Sequence, residues 1–336
     1  MKSPLKHSVA LNQGIAHYLI FDSVSDFHDF VDAQMEELNG YTARVFKKIR
    51  NNALDRITNE SNWYGSPPPK SIKELNFHTQ FIGMHLVQSV ELKIRKHLTH
   101  YIQFVKDQIL PKPKLSYNDK GLGVFAFDRA AMGLFKTQPT AADPKIQKNI
   151  NQMKIELDRD NKTTSIKEVY AYIKDKNTSI PSLQLYISVG GNAGIMGDQL
   201  LYVGLACAIL VEYMELRGIA VEVNIILGTF FNNSYPVGII RLKRFEAPLD
   251  KNMLLLLSSD PRYFRYRGFK GLIALSNYFE LPIPYDLGML KDDIGKSFVE
   301  ALDSDGIVFE QSYDIHSVVQ EVIRIITTYN QKLKNR

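Results

Sequence analysis

The stretch from Leu183 to Asp198 constrains the fold most. Leu183-Gln184-Leu185-Tyr186-Ile187-Ser188-Val189 is an apolar strand, Gly190-Gly191-Asn192-Ala193-Gly194 a glycine-rich turn, and a long apolar helix follows. Open α/β sheets place their ligands at such a strand–loop–helix corner, where the free amides of the helix N-terminus face outward. Here the corner carries Ser188, Asn192 and a late Asp198, and little else able to do chemistry. The motif speaks to the fold and not to an activity.

The pattern downstream is α/β. Gly197–Arg217 reads as a helix closed by Gly218. In Ala220–Leu227, Val221, Val223, Ile225 and Leu227 face one way and Glu222 and Asn224 the other. After the turn Phe231–Pro236, Val237–Phe245 returns antiparallel, and Arg241 and Lys243 are expected to blunt an exposed sheet edge. Pro248–Asp260 and the segment from Asp260 through Phe279 read as helices, Gly306–Gln311 as a strand and Ile315–Leu333 as an amphipathic helix.

Upstream the chain reads as helical. Ser23 precedes Phe27, Phe30, Val31 and Met35 at helical spacing, and Thr42–Ile57 continues the pattern among basic residues. Gly65-Ser66-Pro67-Pro68-Pro69 breaks it. Ser71-Ile72-Lys73-Glu74 reads as a capping box opening a helix that runs to Val105. Residues 111–165 read as a connector, with a short strand pair in Lys114–Phe127 and a polar linker over Gln138–Thr164. The expected organisation is a helical N-terminal region over 1–110, the connector over 111–165 and an α/β open-sheet domain with an antiparallel edge strand over 166–336.

Composition narrows the class without naming a function. The net charge of +5 permits an acidic partner and does not demand one. The single cysteine, Cys207, excludes a disulfide framework and sits in an apolar run as a small core residue. Met1–Leu11 lacks the apolar core of a signal peptide, so export by that route is not expected. The most apolar window, Leu200–Leu216, contains Glu212 and Glu215 and reads as a buried helix, so no membrane span is expected.

The succession of strand, turn, long helix and antiparallel return resembles the opening of a von Willebrand factor A-like domain, a Rossmann-like open sheet. In that fold the first strand ends in Asp-x-Ser-x-Ser, which holds a divalent cation. The resemblance puts Ser188 at the Asp position, Gly190 at the first Ser and Asn192 at the second, so the site is degenerate. A hard cation needs charged oxygen ligands; Ser188 and Asn192 alone are poor ones, and Asp198 lies on the helix and would need a different geometry. Gly204-Leu205-Ala206, Leu210–Val223, Arg241-Leu242-Lys243, Leu249-Asp250 and Pro261–Arg265, with Trp63-Tyr64-Gly65, are similar to a family of phage-encoded proteins of unknown function. That resemblance implies a viral origin and a non-catalytic domain acting in the virion or the host cytoplasm.

Other motifs were weighed for chemistry. The glycines from Gly190 to Gly197 have loose spacing for a dinucleotide fingerprint, no acidic residue ends the second strand, and there is no Gly-Lys-Ser/Thr. No cofactor is expected. Arg262, Arg265, Arg267 and Lys270 alternate with aromatic residues, a composition that suits stacking and phosphate contact. His78, His85, His97 and His100 fall on the expected long helix without a partner set for a metal. Trp63 and Tyr64 either anchor a partner or plug the N-terminal region onto the α/β domain.

The leading expectation is a non-enzymatic interaction or assembly protein. Its partner, a protein of unknown identity, would use Ser188, Gly190, Gly191, Asn192, Asn232, Asn233, Trp63 and Tyr64. The alternative is a nucleic-acid-binding protein using Arg262, Arg265, Arg267 and Lys270 together with the basic helix Arg44–Arg56. An enzyme built from residues as distant as Asp198, Asn232 and Arg241 comes third.

Overall fold

The computed structural model describes residues 5–81, 83–104, 115–118, 124–126, 135–139, 153–157, 170–173, 181–191, 194–195, 197–230, 232–283, 287, 294–302 and 305–334. The chain divides into two units, Met1–Leu110 with Pro181–Arg336, and Pro111–Ile180.

In the first unit, β1 (His7–Leu11) and β2 (Gly14–Phe21) form a hairpin, followed by α1 (Val24–Glu36), α2 (Gly40–Thr58), α3 (Ile72–Asn76) and α4 (Met84–Phe104). Ser23 caps α1 by accepting from the Asp26 amide at 3.1 Å. Ser71 caps α3 in the same way, accepting from the Glu74 amide at 3.1 Å. The expected long helix is interrupted. α3 ends after five residues, and Phe77–Phe81 lies outside either helix, so His78 is not on α4.

The second unit contains β3 (Leu115–Asn118), β4 (Val124–Phe125), β5 (Phe135–Pro139), β6 (Met153–Leu157) and β7 (Tyr170–Ile173). β3 and β4 do not pair with each other; both pair antiparallel with β7 between them. β5 and β6 form an antiparallel ladder, which places a strand inside the stretch read as a polar linker.

The first unit resumes with β8 (Ser182–Val189), a short 3-10 turn at Gly197–Leu200, α5 (Leu201–Glu215), β9 (Ala220–Gly228) and β10 (Ser234–Lys243). α6 (Lys251–Ser259), a π-helical turn (Tyr263–Gly268), α7 (Phe269–Tyr278), α8 (Ile294–Leu302), β11 (Ile307–Phe309) and α9 (Ile315–Lys334) complete it. The fold is mixed α/β around a curled six-stranded sheet of order β1-β2-β10-β9-β8-β11. β11, β8 and β9 are parallel, β10 returns antiparallel, β2 runs parallel with β10, and β1 folds back.

β10 is therefore not an edge, contrary to the sequence reading: β2 pairs along it from Ser234 to Ile240. Its cations are not edge guards either. Lys243 is buried and donates to the Val221 carbonyl at 2.7 Å and to Glu215 at 2.7 Å. Arg241 pairs with Asp22 and lies 3.6 Å from Glu222.

Both sheet faces bury apolar side chains, which is why β8 reads as a nearly continuous apolar run. Leu185, Ile187, Val223 and Ile225 join the large core with α5, α6, α7 and α9. Tyr186, Ile226, Val237 and Val308 form a smaller core with Phe298 and Val299 of α8. Gly204 lets α5 approach α6 closely, because a Cβ there would stand 2.4 Å from Ser259 Oγ and 2.5 Å from Ser258 Oγ. Among the described residues no helix is long and apolar enough to cross a membrane.

Candidate functional site

The chain leaves β8 for β9 on one side, whereas β11 lies on the other. Strand order thus reverses at β8, and open α/β sheets bind their ligands beyond the carboxyl end at such a point. The described residues around that end are Gly190 and Gly191, the β9–β10 turn, the β1–β2 turn and the segment after β11.

These turns are locked by backbone geometry. Gly190 has φ 134° and Gly14 has φ 150°. A Cβ on Gly14 would stand 2.0 Å from the Asn233 carbonyl oxygen, which accepts from the Ile15 amide at 2.9 Å. The two turns are therefore fastened side by side. Asn232 and Asn233 are left-handed, at φ 47° and 61°, and their side chains are exposed. Asparagine tolerates that conformation better than most residues.

The Tyr313 hydroxyl donates to the Gly190 carbonyl at 3.1 Å and also pairs with Gln311. Ser188 is buried: a Cβ on Gly295 of α8 would fall 3.3 Å from its Oγ. The expectation that Ser188 meets a partner directly is corrected, since its alternation on β8 turns it under α8. Asn192 and the side chain of Asp198 lie outside the described residues. Arg241 pairs with Asn224 on the ladder at the far end of β10 from Asn232, so those two are not brought into one constellation.

Beside the first turn of α5 the N-terminal region packs onto Asp260–Lys270. Trp63 is buried, and its indole N–H donates to the Pro261 carbonyl at 3.2 Å. Trp63 and Ser66 exchange backbone hydrogen bonds of 2.9 and 3.0 Å around Tyr64 (φ 49°) and Gly65 (φ 85°), the geometry of a tight two-residue turn. Tyr64, half-buried, lies between two guanidinium groups, Arg56 at 4.4 Å and Arg265 at 4.7 Å from its ring centre. For Trp63 this is the plug and not the exposed anchor.

Arg262, Arg265, Arg267 and Lys270 are all buried. Arg262 donates to the Pro67 carbonyl at 2.8 Å, the Pro68 carbonyl at 3.0 Å and Glu74 at 2.8 Å. Arg267 reaches the His78 carbonyl at 3.5 Å, and Lys270 lies 3.4 Å from Asp32. Burial holds Arg265 and Lys270 below their usual pKa, Lys270 against the opposing pull of Asp32. The expected nucleic-acid face at these four residues is thus corrected: Arg262, Arg267 and Lys270 donate to acceptors supplied by sequence-distant segments, Arg265 stacks on Tyr64, and all four are buried.

Two further features do not show in the sequence, the pairing of Asp260 with His78 and a cavity beside it. Asp260 accepts from the Arg262 amide at 2.7 Å and the Tyr263 amide at 3.3 Å, and its second oxygen pairs with buried His78 at 2.8 Å. The Asp260-Pro261 step signals a helix start, and only the long-range partner was hidden. A cavity of about 410 Å³ adjoins them, lined by Asn62, Ser66, Phe81, Leu201, Ser259 and Arg262 among others. Its charged groups are committed to the protein, so they are braces and not free acids or bases. Cys207 is fully buried and its thiol is pushed up by burial, as its core role requires. Among the described residues no three His, Cys, Asp or Glu side chains are placed to hold a metal ion.

A family model described as "Domain of unknown function (DUF7192)" matches residues 167–334, half of the chain. No curated protein and no solved structure matches.

Proposed function

We propose, from the premise that this chain belongs to the DUF7192 family, that it is a non-enzymatic interaction or assembly protein whose protein partner docks at the carboxyl-end rim of the sheet. The observation that carries this reading is the division of polar groups at that end. His78, Asp260, Arg262 and Tyr313 spend their polar atoms on the protein itself, whereas Asn232 and Asn233 project exposed amides from a rigid turn. A turn with exposed hydrogen-bonding groups, beside polar side chains already committed to the protein, suits recognition of a surface better than turnover of a small molecule.

The order β10-β9-β8-β11 with β10 antiparallel supports the von Willebrand A-like reading. The contact is metal-independent, because Ser188, at the position of the cation-binding carboxylate, packs beneath Gly295. The resemblance of Trp63-Tyr64-Gly65 and Pro261–Arg265 to phage-encoded proteins is what supports reading its site of action as the virion or the host cytoplasm.

The test is affinity capture of the tagged full chain in EDTA, comparing wild type with Asn232→Gly/Asn233→Gly. Glycine keeps the left-handed backbone and removes only the amides. A stoichiometric partner held by wild type in EDTA and lost from the double variant is expected. Release of that partner by EDTA, or its full retention by the variant, overturns the reading.

A further inference from the structure

Much of the chain's excess positive charge lies on one helix, and most of that on its exposed face. α2 carries Arg44, Lys47, Lys48, Arg50 and Arg56 against Asp55 alone, a net +4 in a chain of net +5. At 3.6 residues per turn its residues separate cleanly. Phe46, Ile49 and Ala53 turn toward the packed side with Tyr266 and Trp63. Arg44, Lys47, Lys48 and Arg50 occupy the outer arc with Asn51 and Asn52, and all six are exposed. Among the described residues Arg44, Lys47 and Arg50 make no ion pair. Solvated faces ordinarily mix both signs, as α4 does where Arg95 and Lys251 meet Glu91. α2 does not.

We infer that the outer face of α2 binds the phosphate backbone of double-stranded nucleic acid, independently of base sequence. Three features select this partner. Cations spread over an arc with interspersed amides match the donors that contact phosphate in duplexes. The face is convex, with one exposed aromatic, Tyr41, at its start, whereas single-strand binding uses a groove with successive stacking rings. An anionic membrane would want a continuous apolar flank to insert, and Leu54 is the lone exposed aliphatic on the helix. The surface is separate from the rim of the proposed protein contact, and each can fail without the other.

The test is fluorescence anisotropy of the full chain with a labelled 30-base-pair DNA duplex across a salt series. The variant pair is Lys47→Gln/Lys48→Gln on α2 and Lys93→Gln/Lys96→Gln on the exposed side of α4, equal in charge change. The α2 variant is expected to bind about tenfold more weakly at 100 mM salt, with a log–log slope shallower by about 2. The α4 variant is expected to stay within about twofold of wild type. Equal weakening by both would show bulk charge and overturn the inference. So would binding of vesicles containing anionic lipid without binding of the duplex, or no duplex binding by wild type at 50 mM salt.

Discussion

At the scale of single residues, the interface between the N-terminal segments and Asp260–Lys270 is set by charges that burial makes unusual. His28 lies 2.7 Å from the Tyr263 hydroxyl, and its pKa is lowered from 6.5 to about 4, first by burial and then by Arg267. Asp32 pulls the other way and Lys270 adds to the lowering. Between those two values the unfolded chain binds more protons than the folded one, so stability is complete above pH 6.5 and declines as the pH falls toward 4. The loss is of order 3 kcal/mol. Unfolding free energies from urea titrations at pH 7.5 and 4.5 should differ less in His28→Gln than in wild type by about that amount. The sequence showed the four cations of Arg262–Lys270 and their aromatic neighbours correctly as a row. It did not show their burial, because the groups they meet come from roughly two hundred residues away: Pro67, Pro68 and Glu74 for Arg262, the His78 carbonyl for Arg267, Asp32 for Lys270 and the Tyr64 ring for Arg265.

At the scale of elements, the local signals that were legible were those a segment carries alone. β8, α5, β9 and α9 sit within a few residues of their periodicity-derived bounds, since a long apolar run, an alternation or an amphipathic stripe needs no partner to be seen. The β1–β2 hairpin was missed. Its strands are short, and its stabilising partner is β10, more than two hundred residues downstream. The apparent helix from Ile72 was read too long because Phe77–Gly83 has no strong breaker before Gly83, and His78 leaves the helix to reach Asp260. The hairpin has a consequence that can be measured. Without residues 1–21, β10 would present Val237, Ile239 and Ile240 along an open edge. Such an edge templates association. The truncated chain is expected to form oligomers or precipitate at concentrations where the full chain stays monodisperse by size-exclusion chromatography with light scattering; unchanged elution would contradict the pairing.

At the scale of the whole molecule, the segment that matches the family model is not the same as the folded unit. Residues 167–334 supply β8–β11 and α5–α9, but β1, β2 and α1–α4 complete the sheet and cover the core. The expected division into a helical N-terminal region and a separate sheet domain gives way to a first unit in which both ends of the chain build one sheet. That arrangement leaves two surfaces of different character: a rim of exposed amides at the carboxyl ends of the strands, and a cationic helix face on α2. The central claim is that the rim is where a protein partner sits. Hydrogen exchange of the captured complex against the free chain tests it most directly. The account predicts slowed exchange in the β9–β10 turn over residues 228–234 and in the adjoining β1–β2 turn, with α2 unchanged. Protection confined to α2, or to any surface away from those turns, would contradict it.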